Sequence, residues 1–338
     1  MTLIRTHPRQ NKVLEIVSKQ GVLIALALLI LFAALRYDGF FAPYNISSVL
    51  RDYSMYGLVA LGMCFVIITG GIDLSVGSVV ALSSVLAAKF SGQGVWVALI
   101  VPVLAGVGIG LINGLVITRL NLQPFIATLA MLLGARGLAL LVAGNQSVGA
   151  STETAFSSIG QGNVFDLRLP WNGEALSVPI PAVLMLVAFV LGAVLLSRTA
   201  FGRHALAIGG NEDASRLMGL PVDRVKIGVY MISGGLAGLS GVILASQSLT
   251  GQPTEGLGWE LTAIASVVVG GTLLTGGMGS VWNTLAGAIL LGLIFNILNF
   301  ENGKGVISLS PYWQSVIRGA FLLLVVVLQN RLSRGKSG

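Results

Sequence analysis

The sequence predicts an all-α integral membrane fold, a single transmembrane domain over residues 1–338 with about ten helices that cross the bilayer. Three observations carry this: scarce charge, long apolar runs and the placement of the glycines. Only 10% of the 338 residues are charged, against roughly 25% in a soluble domain, and the mean hydropathy is +0.88. A soluble fold of this composition would lack the polar groups to cover its surface, so lipid must be the solvent over much of it. Runs such as 22–35 and 96–117 suit a hydrocarbon core of roughly 30 Å, which takes about 20 apolar residues per helix. The 45 glycines sit inside such runs rather than in linkers, and small residues let membrane helices approach one another.

Helix by helix, the first span is expected at 21–37, ended by the aromatic cluster Tyr37, Phe40, Phe41 and Tyr44 of an outer interface belt. Basic residues before it resemble a signal peptide, but Arg36, Tyr37 and Asp38 offer no small-residue cleavage site, so the helix is read as retained. The second span, 48–69, breaks at Thr69-Gly70-Gly71, and the third runs over 75–89. A fourth covers 95–118, with Arg119 and Asn121 at its inner turn. The fifth starts at Pro124, since proline suits a first helical turn, and ends near Ala143. Residues 144–178 lapse into Gly, Ser, Thr and Asn and read as one external, periplasmic segment. The sixth span follows Pro179 and Pro181 and ends at Ser197. The remaining four are expected at 227–247, 259–274, 282–299 and 312–330. Two inverted five-helix halves, an arrangement common in transporters, would account for the count. Gly70-Gly71 and Gly270-Gly271, the latter followed by Gly276-Gly277, mark helical hairpins that turn at the inner face.

The net charge of +7 needs no nucleic acid to explain it. Thirteen of the 20 Lys and Arg residues fall in the N-terminal tail, at Arg119, in the 198–226 loop and in the C-terminal tail. If those places are cytoplasmic, the positive-inside rule accounts for them, and both termini lie inside. The single cysteine, Cys64, lies in an apolar run as a buried free thiol and excludes an intramolecular disulfide.

Catalysis finds little support. The two histidines, His7 and His204, lie in the tail and the inner loop, so no histidine-based metal cluster or triad sits in the membrane. Gly335-Lys336-Ser337 is only a fragment of a phosphate-binding loop, with Asn330 where its first glycine should stand. No cofactor is expected on this chain. Charges at membrane depth are costly and therefore informative. Asp73, Arg136 and Arg318 fall there; Asp73 either caps the third helix or serves a gate or ion site, and each arginine either faces a cavity or pins helices through backbone carbonyls. A proton- or sodium-driven carrier usually needs acids near the midplane, and Asp73 at one edge is a poor fit. Uncharged polar residues (Asn113, Thr128, Ser240, Gln247, Asn283, Asn296, Asn299) could line a wet path for a neutral hydroxylated solute, or bond helix to helix.

The 198–226 loop is the most specific feature. Asn211 can cap a short helix with Glu212 and Asp213 in its first turn, where acids favour the dipole, and Gly219 can end it. That helix would present Ala214, Leu217 and Met218 on the inner face, with Ser215 between them, as a docking surface or a membrane anchor.

The words Gly70-Gly71-Ile72-Asp73-Leu74-Ser75-Val76-Gly77-Ser78, Gln123-Pro124-Phe125-Ile126-Ala127-Thr128, Gly209-Gly210-Asn211-Glu212-Asp213-Ala214 with Gly219, and Glu260 through Gly271-Thr272 resemble permease subunits of bacterial ATP-binding-cassette importers for monosaccharides. The resemblance covers residues 20–330, and Glu212-Asp213-Ala214 is similar to that family's Glu-Ala-Ala docking sequence, with Asp213 in place of its middle alanine. It implies a permease for a ribose-like or galactofuranose-like sugar in the bacterial inner membrane. It implies as partners a second permease, identical or different, a cytoplasmic ATPase that carries ATP and magnesium on its own chain, and a periplasmic sugar-binding protein. On the same basis Asn211 to Gly219 would couple to the ATPase, and Asp73, Ser75, Phe125, Thr128, Arg136 and Asn296 are candidates for the path or its gate.

Overall fold

The structure, a computed structural model, describes residues 8–168 and 175–303 together with Trp313, Val316, Ile317, Gly319 and Ala320. Most of the helix expected at 312–330, Arg318 included, and the basic C-terminal tail lie outside the described residues. The first run of helices is α1 (Pro8–Arg36), α2 (Pro43–Ile68), α3 (Val76–Phe90), α4 (Val95–Arg119) and α5 (Pro124–Ala143). There follow α6 (Ser157–Gln161), α7 (Ile180–Arg198), α8 (Ala200–Gly210), α9 (Glu212–Leu217), α10 (Val222–Ser248), α11 (Trp259–Val269) and α12 (Val281–Gly303). Prolines open α2 and α5 at their first turn, where a missing N–H costs nothing, and Gly144 ends α5 in a left-handed conformation.

Six described helices, α2, α4, α5, α7, α10 and α12, are long and apolar enough to cross a bilayer. At 1.5 Å per residue α3 reaches only about 22 Å and α11 about 16 Å, both short of a full crossing. The bounds differ from the sequence reading in several places, one of them α2, which begins at Pro43 rather than near residue 48. Helix α1 begins at Pro8 rather than near residue 21. Helix α10 begins at Val222, taking in the end of the inner loop, and α11 stops at Val269 because Gly270 and Gly271 break it. The 144–178 segment is not a plain loop and departs from an all-α description. It holds α6 and an antiparallel hairpin of β2 (Asn163–Arg168) and β3 (Ala175–Pro179), and its β1 (Val148–Gly149) pairs with β4 (Thr250–Gly251) just after α10.

Helices α2 and α10 form the centre. Side chains Leu58 to Ile68 of α2, among them Leu61, Phe65 and Ile67, are buried against Val229, Tyr230, Val242 and Ile243 of α10 and Val76, Val79 and Val80 of α3. Helix α4 lies along α10 backbone to backbone. A Cβ on Gly106 would stand 2.2 Å from the carbonyl oxygen of Gly234, and one on Gly110 2.1 Å from that of Tyr230. Glycine is obligatory at both, and Gly114 one turn on continues the row against Ile227. The outward sides of α4, α5 and α7 present Leu104, Leu133, Leu141 and Leu191, the surface expected toward lipid or a neighbouring membrane chain.

Between α10 and α11 the chain is not helical. Residues 249–258 descend along α3, with Gly251 against Ser84 and Val85 and Gly256 against Gly77. This stretch leads directly into α11.

Candidate functional site

Three groups of residues carry the polar chemistry. The first lies where the chain leaves α2 and enters α3. Gly70 takes φ +77 at the turn, and Ile72 and Asp73 run extended into the bundle. Asp73 is 1% exposed. Its Oδ1 accepts from the backbone N–H of Ser75 at 3.0 Å and from the Ser75 hydroxyl at 2.6 Å, and its Oδ2 accepts from the Ser233 hydroxyl of α10 at 2.8 Å. Asn113 of α4 donates to Ser75 Oγ at 3.0 Å. The Thr128 hydroxyl of α5 sits 2.8 Å from the Pro124 carbonyl and 3.2 Å from that of Ile72, and Tyr230 of α10 reaches the same Ile72 carbonyl at 3.5 Å. Asp73 is therefore not the cap of α3, a position that Ser75 takes; through these bonds one short stretch is tied to α4, α5 and α10. All its donors are uncharged, which suits a site that fixes position rather than one that stores an ion pair.

The second group surrounds Arg136 on α5. Its Nη1 donates to the carbonyls of Pro253 and Glu255, both at 2.6 Å, and the carboxylates of Glu255 and Glu260 supply nearby opposite charge. Of the two roles open for this arginine, the geometry gives the pinning of backbone carbonyls. What it pins is the non-helical stretch before α11, whose carbonyls have no intrahelical partner. Phe125, near the start of α5, is more than half exposed.

Asn296 is not brought together with these. It exchanges amide hydrogen bonds with Asn45, at 2.9 and 3.4 Å, and joins α12 to the start of α2. Asn113, Ser240 and Gln247 likewise bond from helix to helix, to Ser75, the Met55 carbonyl and Asp52.

The third group is the short helix α9 with its flanks. Asn211 Oδ1 accepts the N–H of Ala214 at 2.9 Å and caps α9, with Glu212 and Asp213 in the first turn. Gly219 leaves the helix at φ +79 with open space where a Cβ would stand. Glu212 pairs with Lys226 at 2.8 Å, and Arg216 with Asp223 at 2.9 Å. The hydrogen bond to Asp223 raises Arg216 above the ordinary arginine value. Ser215 is buried beneath, whereas Leu217 is 90% and Met218 71% exposed. Two large apolar side chains thus stand uncovered on a capped and ion-paired helix.

Ser233, Tyr230 and Glu260, and the carbonyls that hold Arg136, are not singled out by the sequence reading. The row Gly106, Gly110, Gly114 was readable as a small-residue helix interface from its four-residue spacing; its partner was not.

Among the described residues no group of three or more His, Cys, Asp or Glu could hold a metal ion. No solved structure matches the chain. The chain is 40% identical over 321 residues to the ribose import permease protein RbsC of Bacillus subtilis, 94% of either chain being covered. It is 37% identical to RbsC of Escherichia coli K12, over 93% of this chain and 94% of that one. It is 36% identical to the L-arabinose transport system permease protein AraH of the same organism, over 94% and 92%. Residues 45–326 match the family described as the permease component of the branched-chain amino acid transport system, and the chain belongs to that family of membrane permeases, as a transport subunit rather than a catalytic one.

Proposed function

We propose that this chain is the membrane permease of an ATP-driven importer and provides the path by which a pentose of the ribose or arabinose kind enters a bacterial cell through the inner membrane. The observation that carries the reading is end-to-end similarity to ribose and arabinose permeases, joined to an inner helix whose Leu217 and Met218 are left uncovered. The pentose relatives favour that class of sugar over galactofuranose. Helix α9 docks in a groove of a cytoplasmic ATPase, which binds ATP and magnesium on its own chain. A periplasmic sugar-binding protein delivers the substrate to the 144–178 side.

Ten crossings with both termini cytoplasmic follow if α1 to α5, α7, α10, the 249–269 span, α12 and the 312–330 helix each cross once, as two inverted halves. Two permeases meet across the face built by α5 and residues 249–261. Non-helical backbone does not face lipid, yet Thr254 and Leu257 of this stretch are exposed, with Arg136, Glu255 and Glu260 beside them. A water-filled path between two permeases satisfies both demands, and Phe125 and Arg136 border it, whereas Thr128 is buried against the Ile72 carbonyl.

Reconstitution in liposomes with the partner ATPase and binding protein tests this. Ribose or arabinose should raise ATP hydrolysis and accumulate inside unmodified, and Glu212→Arg should abolish ATPase copurification while the permease still inserts. Uptake by the permease alone, driven by a proton or sodium gradient, would sink the reading.

A further inference from the structure

Three turns of the chain meet at the inner end of the bundle with no side chain between them. They are the turn after α2, the end of α8, and the turn between α11 and α12. The N–H of Gly277 donates to the carbonyl of Ile68 at 2.9 Å. A Cβ on Gly209 would stand 1.8 Å from that carbonyl oxygen and 2.4 Å from the nitrogen of Gly277. One on Gly276 would stand 2.8 Å from the nitrogen of Gly70 and 3.0 Å from the carbonyl oxygen of Gly209. Gly70, Gly276 and Gly277 also take φ of +77, +85 and +78, so glycine is required at each for conformation, and at Gly276 and Gly277 for space as well.

We propose that Gly70, Gly209, Gly276 and Gly277 form a rigid backbone knot that carries the motion of α9 to the Ile72–Asp73 stretch. This rests on the reading that α9 docks the ATPase. On one side of the knot, Asn211 ends α8 and caps α9 at once, so no slack separates the docking helix from Gly209. On the other, Gly71 follows Gly70 directly, its Cβ position 2.5 Å from the Tyr230 hydroxyl, and Asp73 comes two residues later. Backbone packed on backbone has no side-chain rotamer to absorb a displacement, and packed interiors transmit strain. The same knot engages the turn leading into α12, so one push reaches both interrupted segments.

The test uses the full transporter in liposomes on a Cys64→Ser background. Gly209→Ala should insert, retain ATPase and hydrolyse ATP, but lose about tenfold in sugar moved per ATP, within the usual range for coupling between sites. Gly108→Ala, whose Cβ meets nothing within 4 Å, should leave that ratio unchanged. A second variant does not depend on tolerance of the methyl: Ile68→Cys with Gly279→Cys, since a Cβ on Gly279 lies 2.5 Å from Ile68 Cγ1, within reach of disulfide geometry. A knot that moves as one body should transport equally well with this pair oxidised or reduced. An unchanged ratio in Gly209→Ala, loss of its ATPase association, or a block of uptake on oxidation of the pair would each overturn the proposal. Failure of the docking reading shows separately, as full ATPase association and uptake in Glu212→Arg.

Discussion

The seam between α4 and α10 and the short helix α9 are opposite solutions to the same packing problem. Along the seam the chain closes on itself so tightly that Gly106 and Gly110 leave no room for a single methyl group. On α9 the caps and ion pairs are complete, yet Leu217 and Met218 are bare. A membrane protein gains little from merely hiding apolar groups, because lipid is as apolar as leucine. The seam must therefore be held by close backbone contact, which only glycine permits. Helix α9 lies at a polar end of the bundle, where bare apolar side chains are costly, and on the proposed reading a partner covers them.

Three variants sharpen this contrast, ordered by their expected effect on stability. Gly110→Ala should be the most damaging, about 3 kcal/mol at the upper end of overpacking costs, because the methyl meets a carbonyl rather than a side chain that could turn. Heating the detergent-solubilised protein and following the monodisperse fraction by size-exclusion chromatography measures it; an unchanged midpoint would show that the seam can spread.

Next comes Arg136→Leu. It removes two charged hydrogen bonds but also relieves the cost of desolvating the guanidinium, for a net loss of about 2 kcal/mol, and should free residues 249–258, seen as faster amide hydrogen exchange confined to that stretch and as lower uptake. Normal exchange and normal uptake together would remove Arg136 from the path.

The smallest effect on stability belongs to Leu217→Ser with Met218→Ser, within about 0.5 kcal/mol of the parent as for other surface changes. ATPase copurification should nevertheless fall sharply. A double variant that keeps its ATPase would leave α9 as no more than an anchor at the membrane surface.

Where the signal was local, the sequence reading came close. The Asn211 cap, the acids after it and the positive φ of Gly219 each follow from a few adjacent residues, and the structure has all three. Arg136 was legible as costly from depth alone, but its partners lie 117 and 119 residues away in a stretch that reads as an ordinary loop. Asn296 was singled out with the path residues and is bonded to Asn45 instead, 251 positions distant. Nothing in the run around Asn296 could indicate that, since an amide in an apolar helix has the same local pattern whether it faces water or another amide.

By itself, then, the sequence determined the solvent, most of the apolar spans and the shape of the short helix α9, because hydropathy, helix caps and glycine turns act over a few residues. Only the tertiary structure decided that Arg136 holds the carbonyls of Pro253 and Glu255, that the Ile72–Ser75 stretch is held from α4, α5 and α10, and that three glycine turns close into one knot. Those features depend on which backbones come within about 3 Å of one another, a hydrogen-bond distance that joins residues far apart in the chain and leaves no periodic trace along it.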